Sequence, residues 1–581
     1  MSAPLSRIVT PQLSEYVDAA TSGVAMSPIS FGGRFGWLHQ PQLLADGAAG
    51  VVLVSPLGRD ARCAHRPFRL FADRLAHAGY PVLRFDQLNH GDSADLADDG
   101  DALPGWFEGV RAATSFLKDV SGVRRVVLGG ARMGATLAAI AADRDVVDGL
   151  ILFAPVVSGK AWVRELRLAG ALGGTASEAA HQAGGLEADG LTLSPATVRS
   201  LSALDLRSTP LSARQVLLLA QNKSVAALGA HLTAHGASVT LQEFAGYDPL
   251  FEDAHSNQAP EEAFAQALQW IKTALPIDRD GMVGTCPHPP ACRLDLPGVV
   301  EVPVTFGAGL QGIITRPDEL NAARRAVVFL NTGGDPRAGI GRFAVWAARA
   351  LARRGVASMR FDFPGVGDSA DPADGRRHVY EVARTEDIRG ALELMSANGF
   401  EDLTLTGICA GGLHASRAAF DSLGVRKVLM VSPVKLVWRP GDSLAVGKRD
   451  QGRATSFYMN GLANAATWKR LITGDIHVMS VLKTLGRRMI GRLAARRDDT
   501  TRVFREQIAA TSAKGVRIRV LVGVDDASLD EVETYFGPKG AAMSQLPGMS
   551  VRVAPQLDHG LARSESRVVA LDELIDLVEQ A

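Results

Sequence analysis

The chain has 581 residues, 46% hydrophobic and 21% charged, so it is long and apolar enough to bury two substantial cores. Lysine plus arginine and aspartate plus glutamate number 62 each, and this balance gives no overall field that would attract nucleic acid. The four scattered cysteines do not suit a disulfide framework, and the sequence has neither a signal-peptide pattern nor an apolar run of about 18 residues. We therefore predict a soluble cytoplasmic protein with no nucleic-acid partner and no transmembrane segment.

An internal repeat divides the chain into two copies of one unit. Arg84-Phe85-Asp86, leading to Gly91-Asp92-Ser93, recurs as Arg360-Phe361-Asp362, leading to Gly367-Asp368-Ser369. A period this long indicates a duplicated domain, because solenoid repeats are far shorter. Since both copies keep the motif, we predict that it has a structural role rather than a catalytic one. An arginine–aspartate network would hold it in place.

In chain order, residues 1–25 are predicted to form an amphipathic arm and residues 26–275 a first domain. Apolar runs that alternate with helical patterns indicate strands of a mostly parallel sheet covered on both faces. The predicted strands of this domain are Val51–Ser55, Pro81–Asp86, Arg125–Gly129, Gly149–Phe153, Val216–Ala220 and Ser238–Phe244. A Pro- and Gly-rich passage, residues 276–297, is predicted to be a linker. Within it five residues separate Cys286 from Cys292, which does not fit the spacing of structural zinc sites, so we predict no metal.

Residues 298–581 are predicted to form a second domain on the same plan. Its predicted strands are Val302–Phe306, Gly312–Thr315, Ala326–Leu330, Ala357–Phe361, Leu403–Thr406, Lys427–Val431, Arg517–Gly523 and Val551–Ala554. The interval between Ser432 and Arg517 is too long for a simple connection, so we predict a helical cap over about residues 433–512. Three aromatic residues of this cap are predicted to line a substrate cleft, namely Trp438, Tyr458 and Trp468.

The predicted cap is rich in positive charge. Between Lys435 and Arg502, basic residues greatly outnumber acidic ones. This excess favours an anionic or carrier-bound acyl substrate, such as a phosphorylated glycan lipid, an acyl carrier protein or coenzyme A. A charge run of this kind is also typical of a solvated helical face, and the sequence does not separate the two interpretations.

A nucleophile elbow is predicted in the second copy. Gly407-Ile408-Cys409-Ala410-Gly411 matches the pattern Gly-x-nucleophile-x-Gly between a strand and a helix, with cysteine in place of the usual serine. The glycines suit a sharp turn in which side chains at the flanking positions would collide with the strand and helix. At the start of the helix, the positive end of the helix dipole favours the thiolate. The alternative is a small buried cysteine packed after a glycine.

The rest of a catalytic triad is predicted further along the chain, in the order nucleophile, acid, histidine. Asp526 follows the strand that starts at Arg517, with Asp525 as the alternative acid, and His559 follows the strand that starts at Val551. His559 would take the thiol proton or hold it as an ion pair, and Asp526 would orient the imidazole and stabilise its charge. For either aspartate alone, a turn residue is the plainer interpretation.

The oxyanion hole is predicted to combine the backbone N–H of Ala410 with one from the loop that follows the strand Ala326–Leu330. Thr332 and Gly333 are the candidates in that loop, because a glycine-rich loop lets backbone donors approach a developing negative charge. The alternative is an ordinary turn, which glycine also marks.

The equivalent positions of the first copy lack all three catalytic residue types. Arg132 stands at the elbow, Gln221-Asn222 at the acid position, and Pro249 where His559 stands in the second copy. His255 lies a few residues further on, but a base without a nucleophile supports no reaction here. We therefore predict a non-catalytic first half that supports or covers the second half, or binds part of the substrate.

These motifs resemble the α/β-hydrolase superfamily over nearly the whole chain. The second half resembles the type-one hydrolases associated with the exosortase A system, through Gly333-Gly334, the stretch Arg360 to Ser369, the cysteine elbow, Phe457-Tyr458 and Trp468-Lys469-Arg470-Leu471. The first half resembles the type-two members, through the segments Gly130 to Ala135 and Leu186 to Ser194. The resemblance implies an α/β fold of two tandem α/β-hydrolase domains, and as substrate an acylated sugar or a lipid-linked intermediate of exopolysaccharide synthesis. The cysteine elbow also resembles that of dienelactone hydrolase, so a lactone is an alternative substrate.

The sequence thus predicts a hydrolase of ester or thioester bonds that works through an acyl-Cys409 intermediate, with no cofactor. With water excluded and an alcohol admitted, the same intermediate would support acyl transfer. A non-catalytic scaffold or binding protein is the alternative from another class, with both hydrolase pockets inert. The acyl group, its acceptor and the oligomeric state are not readable from the sequence.

Overall fold

The structure is a computed structural model. It describes residues 24–96, 100–142, 147–209, 211, 215–277, 283–319, 324–377, 379–439, 442 and 499–580. Most of the predicted cap lies outside these residues, and with it Tyr458 and Trp468, whose contact with substrate stays a prediction. The predicted arm is described only from Val24 onward.

The first half is built on one large sheet. The strands of the first half are β1 (Val24–Phe31), β2 (Arg34–Pro41), β3 (Leu44–Ala45), β4 (Ala49–Val54), β5 (Val82–Phe85), β6 (Arg125–Ala131), β7 (Gly149–Phe153), β8 (Leu186–Ala188), β9 (Leu191–Leu193), β10 (Gln215–Ala220) and β11 (Ser238–Glu243). Eight of them form the sheet, in the order β1-β2-β5-β4-β6-β7-β10-β11. The strands from β5 to β11 in this order run parallel, while β1 and β2 form an antiparallel pair at one edge.

The second half repeats this plan. Its strands are β12 (Val283–Gly284), β13 (Leu294–Leu296), β14 (Val299–Phe306), β15 (Leu310–Pro317), β16 (Arg325–Leu330), β17 (Ala357–Phe361), β18 (Asp402–Ile408), β19 (Lys427–Val431), β20 (Arg517–Gly523) and β21 (Met549–Ala554). The sheet order is β13-β14-β15-β17-β16-β18-β19-β20-β21, which from β14 onward is the connectivity of the first sheet. The predicted fold class of two tandem α/β-hydrolase domains with mostly parallel sheets is confirmed.

Helices connect the strands and cover the sheets. The described α-helices are α1 (Gly58–His77), α2 (Leu103–Ser121), α3 (Met133–Ala141), α4 (Gly159–Gly173), α5 (Glu178–Gln182), α6 (Pro195–Ala203), α7 (Lys223–Ala234), α8 (Tyr247–Phe251), α9 (Glu261–Ala274), α10 (Phe343–Ala352), α11 (Thr385–Ala397), α12 (Ala410–Phe420), α13 (Asp499–Ala513), α14 (Ala527–Phe536) and α15 (Ser564–Glu579). Short 3-10 turns occupy Ile340–Arg342, Pro538–Gly540 and Met543–Gln545.

Each sheet is buried on both faces, which is why its central strands are continuously apolar. In β4 successive side chains point to opposite faces, so Val52 and Val54 pack into one core cluster and Val51 and Leu53 into another. In the second half, Val328 of β16 packs into one cluster and its neighbour Val327 into the other. These paired cores hold the carboxyl ends of the parallel strands in place, where loops carry the predicted site.

The structure departs from the sequence-based outline in three places. The antiparallel pair β1–β2 was not predicted, because β2 is buried along its whole length although it contains Arg34, His39 and Gln40. Part of the predicted linker is strand, since β12 pairs with β3 and β13 pairs with β14. Helix α13 begins inside the predicted cap range, but its Phe504 and Ile508 pack in the core of the second domain.

The two halves meet through the repeated motif itself. The guanidinium of Arg84 in the first half contacts the carboxylate of Asp368 in the second at 2.9 Å, and Arg360 in the second contacts Asp92 in the first at 2.9 Å. Because these are equivalent positions of the repeat, each half places its arginine against the aspartate of the other half, as at a two-fold interface. Arg337 joins both aspartates, with Asp92 at 2.8 Å and Asp368 at 2.9 Å. The predicted arginine–aspartate network is therefore the buried junction between the halves.

Candidate active site

Cys409 lies at a sharp turn between β18 and α12. Its backbone has φ 56° and ψ −113°, a region that non-glycine residues rarely adopt, and such strain is typical of functional sites. The flanking positions require glycine because other backbone atoms lie too close for a side chain. A Cβ on Gly407 would lie 2.3 Å from the carbonyl carbon of Gly411, and a Cβ on Gly411 would lie 2.8 Å from the oxygen of Asn331. The geometry is that of a nucleophile elbow.

The structure brings His559 and Asp526 together. The Nδ1 atom of His559 lies 3.1 and 3.2 Å from the two carboxylate oxygens of Asp526. Asp526 is held in turn, because it caps the N-terminus of α14 and accepts a hydrogen bond of 3.0 Å from the N–H of Ser528. The neighbouring Asp525 is exposed, so the geometry favours Asp526 as the partner of the imidazole.

The electrostatics of the pair favour a charged histidine. Burial alone would lower the pKa of His559, but the charge of Asp526 and hydrogen bonds to Asp526 and Cys409 outweigh burial and raise this pKa well above its usual value. Burial likewise opposes ionisation of Asp526, yet the nearby His559 lowers the pKa of that carboxyl to about 2. The side chain of His559 remains 35% exposed, so an incoming molecule can contact it.

Asp526→Asn is expected to move the ionisation of His559 to lower pH by at least about one unit, because the charge that holds the imidazolium is removed. NMR titration of the His559 ring would measure the shift, with the exposed Asp525→Asn as the matched control. An unchanged titration in Asp526→Asn would contradict the assigned pairing.

Tyr380 is a site residue that the sequence analysis missed. Its hydroxyl lies 2.9 Å from the Sγ atom of Cys409, and its ring stacks on Trp438 with centroids 4.8 Å apart. Burial, followed by the proximity of Cys409, raises the pKa of Tyr380 well above its usual value, so the phenol keeps its proton and can donate to sulfur. No motif marks Tyr380, which follows an exposed, arginine-rich turn. Trp438, predicted to contact substrate, thus stacks on the side chain that contacts Cys409.

The residues predicted for the oxyanion hole lie on the two segments that meet at the elbow. Ala410 is the first residue of α12, and Thr332 and Gly333 follow β16. Within the described ranges, no acceptor takes the backbone N–H of any of these three residues. Asn331 fixes the start of the loop, because its amide donates to the backbone oxygen of Asp335 at 3.0 Å. The oxyanion role of the three N–H groups stays a prediction.

Little open space surrounds the elbow. Cys409 is 9% exposed, and the cavity beside Gly333, Ala410 and His414 measures only about 10 Å³. A much larger cavity of about 600 Å³ lies between the halves, but Cys409, His559 and Asp526 do not line it. Ser55 and His65 line the larger cavity, but the hydroxyl of Ser55 donates to the backbone oxygen of Phe85 and His65 pairs with Asp368.

The elbow of the first half keeps its shape and loses its nucleophile. Arg132 has φ 52° and ψ −124°, close to the values at Cys409. Its guanidinium pairs with Asp60 at 3.1 Å and with Glu165, and lies 6.0 Å from the ring centre of Tyr247. Arg132 is only 7% exposed, so its charge is buried together with its acidic partners.

In the first half, the residues at the positions of the acid and the histidine also have structural roles. Asn222, at the acid position, caps α7 by accepting a hydrogen bond of 3.0 Å from the N–H of Val225. Pro249, at the histidine position, lies inside the short helix α8. The local fold is thus retained where the catalytic side chains are absent.

Two kinds of feature are absent from the part of the chain that the structure describes. No group of three or more histidine, cysteine, aspartate or glutamate side chains there is arranged to hold a metal ion. Among the same residues, no helix combines the length and the apolar character needed to cross a membrane.

The chain is similar to several solved structures. Two of the similar solved structures are Est1E from Butyrivibrio proteoclasticus with bound ferulic acid (18% identity, 42% of this chain, 99% of that chain, TM-score 0.32) and the esterase Pf2001 from Pyrococcus furiosus (16%, 43%, 92%, 0.28). A third is XC6422 from Xanthomonas campestris, an α/β serine hydrolase without a lid (16%, 48%, 96%, 0.28). No curated protein is significantly similar to the chain.

The sequence of the first half matches a protein family. Residues 46–263 match the model of the family described as Serine aminopeptidase, S33. The match covers the half that has Arg132 at the elbow. With the fold, this family match supports a hydrolase of the α/β class.

Proposed function

We propose that the second half is an acyl hydrolase in which Cys409 is the nucleophile, His559 the base and Asp526 the acid that orients it. The observation that carries the proposal is the elbow geometry of Cys409 combined with the pairing of His559 and Asp526, in which the nearby Cys409 helps to raise the pKa of the imidazole. A thiol held at a helix start beside a histidine is an activated nucleophile.

The reaction would proceed in two steps. The sulfur of Cys409 attacks the acyl carbonyl carbon, the bond from that carbon to the leaving oxygen or sulfur breaks, and His559 gives the leaving group the proton it received from the thiol. Water then attacks the thioester, His559 takes a proton from the water, and the carbon–sulfur bond breaks to release the carboxylic acid. The N–H groups of Ala410 and of Thr332 or Gly333 would stabilise the oxyanion in both steps.

The substrate class comes from the resemblance in sequence. We propose an acylated sugar or a lipid-linked intermediate of exopolysaccharide synthesis, because both halves resemble hydrolases associated with that system. The basic residues of the predicted cap would suit an anionic or carrier-bound form of such a substrate.

Intact-mass spectrometry tests the proposal. The chain is mixed with a panel of acyl esters and thioesters and quenched in acid at short times. We expect a mass increase equal to one acyl group on the unmodified chain and none on Cys409→Ala. If no member of a broad panel gave an adduct or turnover, the binding-protein alternative would be favoured.

Acyl transfer is a second candidate, and the burial of the nucleophile favours testing it. Cys409 is almost fully buried, its sulfur contacts the hydroxyl of Tyr380, and the ring of Tyr380 stacks on Trp438. Adding an alcohol or a sugar acceptor to the acylated chain separates the candidates. Release of free acid alone indicates hydrolysis, whereas an acylated acceptor indicates transfer.

Tyr380→Phe is expected to lower the rate of acylation by about 10-fold, because the variant keeps the ring but loses one hydrogen bond to the sulfur. Rapid-quench measurement of adduct formation tests this expectation, with Tyr247→Phe in the first half as the matched control. Equal rates for Tyr380→Phe and the unmodified chain would show that the hydroxyl contact does not assist the thiolate.

A further inference from the structure

One segment of the first half reaches the proposed active site of the second. The Nδ1 atom of His255 accepts a hydrogen bond of 2.7 Å from the backbone N–H of Gly334. For Nδ1 to accept, the ring must be neutral and carry its proton on Nε2. Gly334 lies in the loop that carries Thr332 and Gly333, so a side chain of the inactive half touches the loop assigned to oxyanion binding.

The two glycines of this loop are shaped to fit the imidazole. Gly333 has φ +60°, and a Cβ at that position would lie 2.2 Å from the Cε1 atom of His255. A Cβ on Gly334 would lie 2.8 Å from the backbone oxygen of Ala254. The glycine pair therefore accommodates the first half, in addition to any approach of substrate.

The hydrogen bond fixes the orientation of a peptide plane. The N–H of Gly334 and the carbonyl of Gly333 belong to one planar peptide, so anchoring the N–H sets the direction of the carbonyl and of the preceding residue. Glycine pairs are otherwise free to adopt several backbone conformations. Oxyanion donors act only when they are held in place before the reaction. His255 thus restrains the part of the loop next to the proposed donors of Thr332 and Gly333.

The same segment holds a second loop of the site. Arg377 donates to the backbone oxygens of Ala254 at 2.6 Å and Asn257 at 2.8 Å. Arg377 stands three residues before Tyr380, whose hydroxyl contacts Cys409. Residues 254–257 therefore contact both loops that flank the nucleophile.

We propose that His255 is a positioning residue for the oxyanion loop of the second half, so that the active site is complete only when the two halves are joined. This inference rests on the proposed acyl-Cys409 function. It assigns to the first half a role in the reaction although Arg132 replaces its own nucleophile. His255 acts on the loop backbone and contacts no reacting atom.

Two substitutions at one position test the role. His255→Leu removes the acceptor, whereas His255→Asn offers an amide oxygen near the position of Nδ1. We expect His255→Leu to lower the acylation rate by about 10- to 10³-fold, at most as much as the roughly 10²- to 10³-fold loss caused by removal of an oxyanion donor itself, with substrate KM and the thermal midpoint unchanged. We expect His255→Asn to recover at least 10-fold of that loss. Amide hydrogen exchange at Gly334 should be slow in the unmodified chain and in His255→Asn, and fast in His255→Leu.

His235→Leu is the matched control, because His235 also uses Nδ1 to contact a backbone group, the oxygen of His231, but within α7 and its C-terminal cap. This variant should acylate at the unmodified rate. The positioning role is overturned if His255→Leu acylates as fast as the unmodified chain, or if His255→Asn is no better than His255→Leu. Absence of any adduct on the unmodified chain would instead overturn the proposed function itself, and the positioning role with it.

Discussion

Cys409→Ala is expected to lower kcat/KM by about 10⁴- to 10⁶-fold, because the group that forms the acyl bond is removed and His559 and Asp526 cannot act without it. Cys409→Ser should also be severely impaired, since a serine hydroxyl is far harder to ionise than a thiol beside the same imidazole. Steady-state assays on the ester that gives the largest adduct would measure both losses. The fold should be preserved in both variants, because the changes remove or replace one atom at a turn.

Cys286→Ala serves as the control for the first prediction. Burial raises the pKa of Cys286 to about 11, so its thiol stays protonated at neutral pH, and it lies outside both core clusters of each domain. We expect unchanged turnover in this variant. Substantial turnover in Cys409→Ala would assign the activity to another residue and contradict the proposed mechanism.

Asp368→Ala is expected to reduce the free energy of unfolding by about 3–5 kcal/mol, because it leaves the buried guanidinium of Arg84 without its carboxylate and removes one of the carboxylates that pair with Arg337. The carboxylate of Asp368 contacts Arg84 and Arg337 at 2.9 Å each and His65 at 3.0 Å, and its side chain is fully buried. Urea denaturation of the full chain, followed by tryptophan fluorescence, would measure the change.

Asp371→Ala, in the same loop, is the matched control for this prediction. Asp371 pairs with Arg66 at 3.0 Å and Arg69 at 2.9 Å but is 26% exposed, so we expect a change of only about 0–1 kcal/mol. Equal effects in the two variants would contradict the claim that the buried exchange of ion pairs, rather than surface contact, holds the halves together.

The same network predicts how stability depends on pH. Burial opposes the ionisation of Asp368, but His65 and the nearby arginines lower its pKa well below the usual value. A carboxyl with a lowered pKa contributes stability that is present above its unfolded pKa of about 3.9 and is lost as the pH falls toward the folded value. In Asp368→Ala, the loss of stability between neutral pH and this acidic range should therefore be shallower than in the unmodified chain.

Features with a local signature could be predicted from the sequence. The glycines around Cys409 are demanded by contacts within one turn, so the pattern of the elbow is visible in five consecutive residues. The strands of both copies could likewise be predicted from apolar runs, because central parallel strands are buried on both faces. The positions of Asp526 and His559 followed from strand ends and chain order.

Features that depend on distant contacts could not be predicted. Strand β2 is buried with charged residues whose partners come from elsewhere, as when Arg84 donates to the ring of His39 at 3.0 Å. Tyr380 meets Cys409 and His255 meets Gly334 only through the tertiary fold. The repeated motif was assigned to scaffold from its recurrence, but the exchange of its ion pairs between halves required coordinates. Residues that act across an interface carry no periodicity or spacing of their own.

An acyl-Cys409 intermediate should be visible in a rapid-quench time course followed by peptide mapping. Burial raises the pKa of Cys63 and Cys292 to about 12, so competing labelling at these thiols should be slow. We expect an acyl group to appear on the peptide containing Cys409 no more slowly than kcat, and to disappear at the rate at which product forms. A label that outlasts product formation, or that lies on any other residue, would contradict the proposed intermediate.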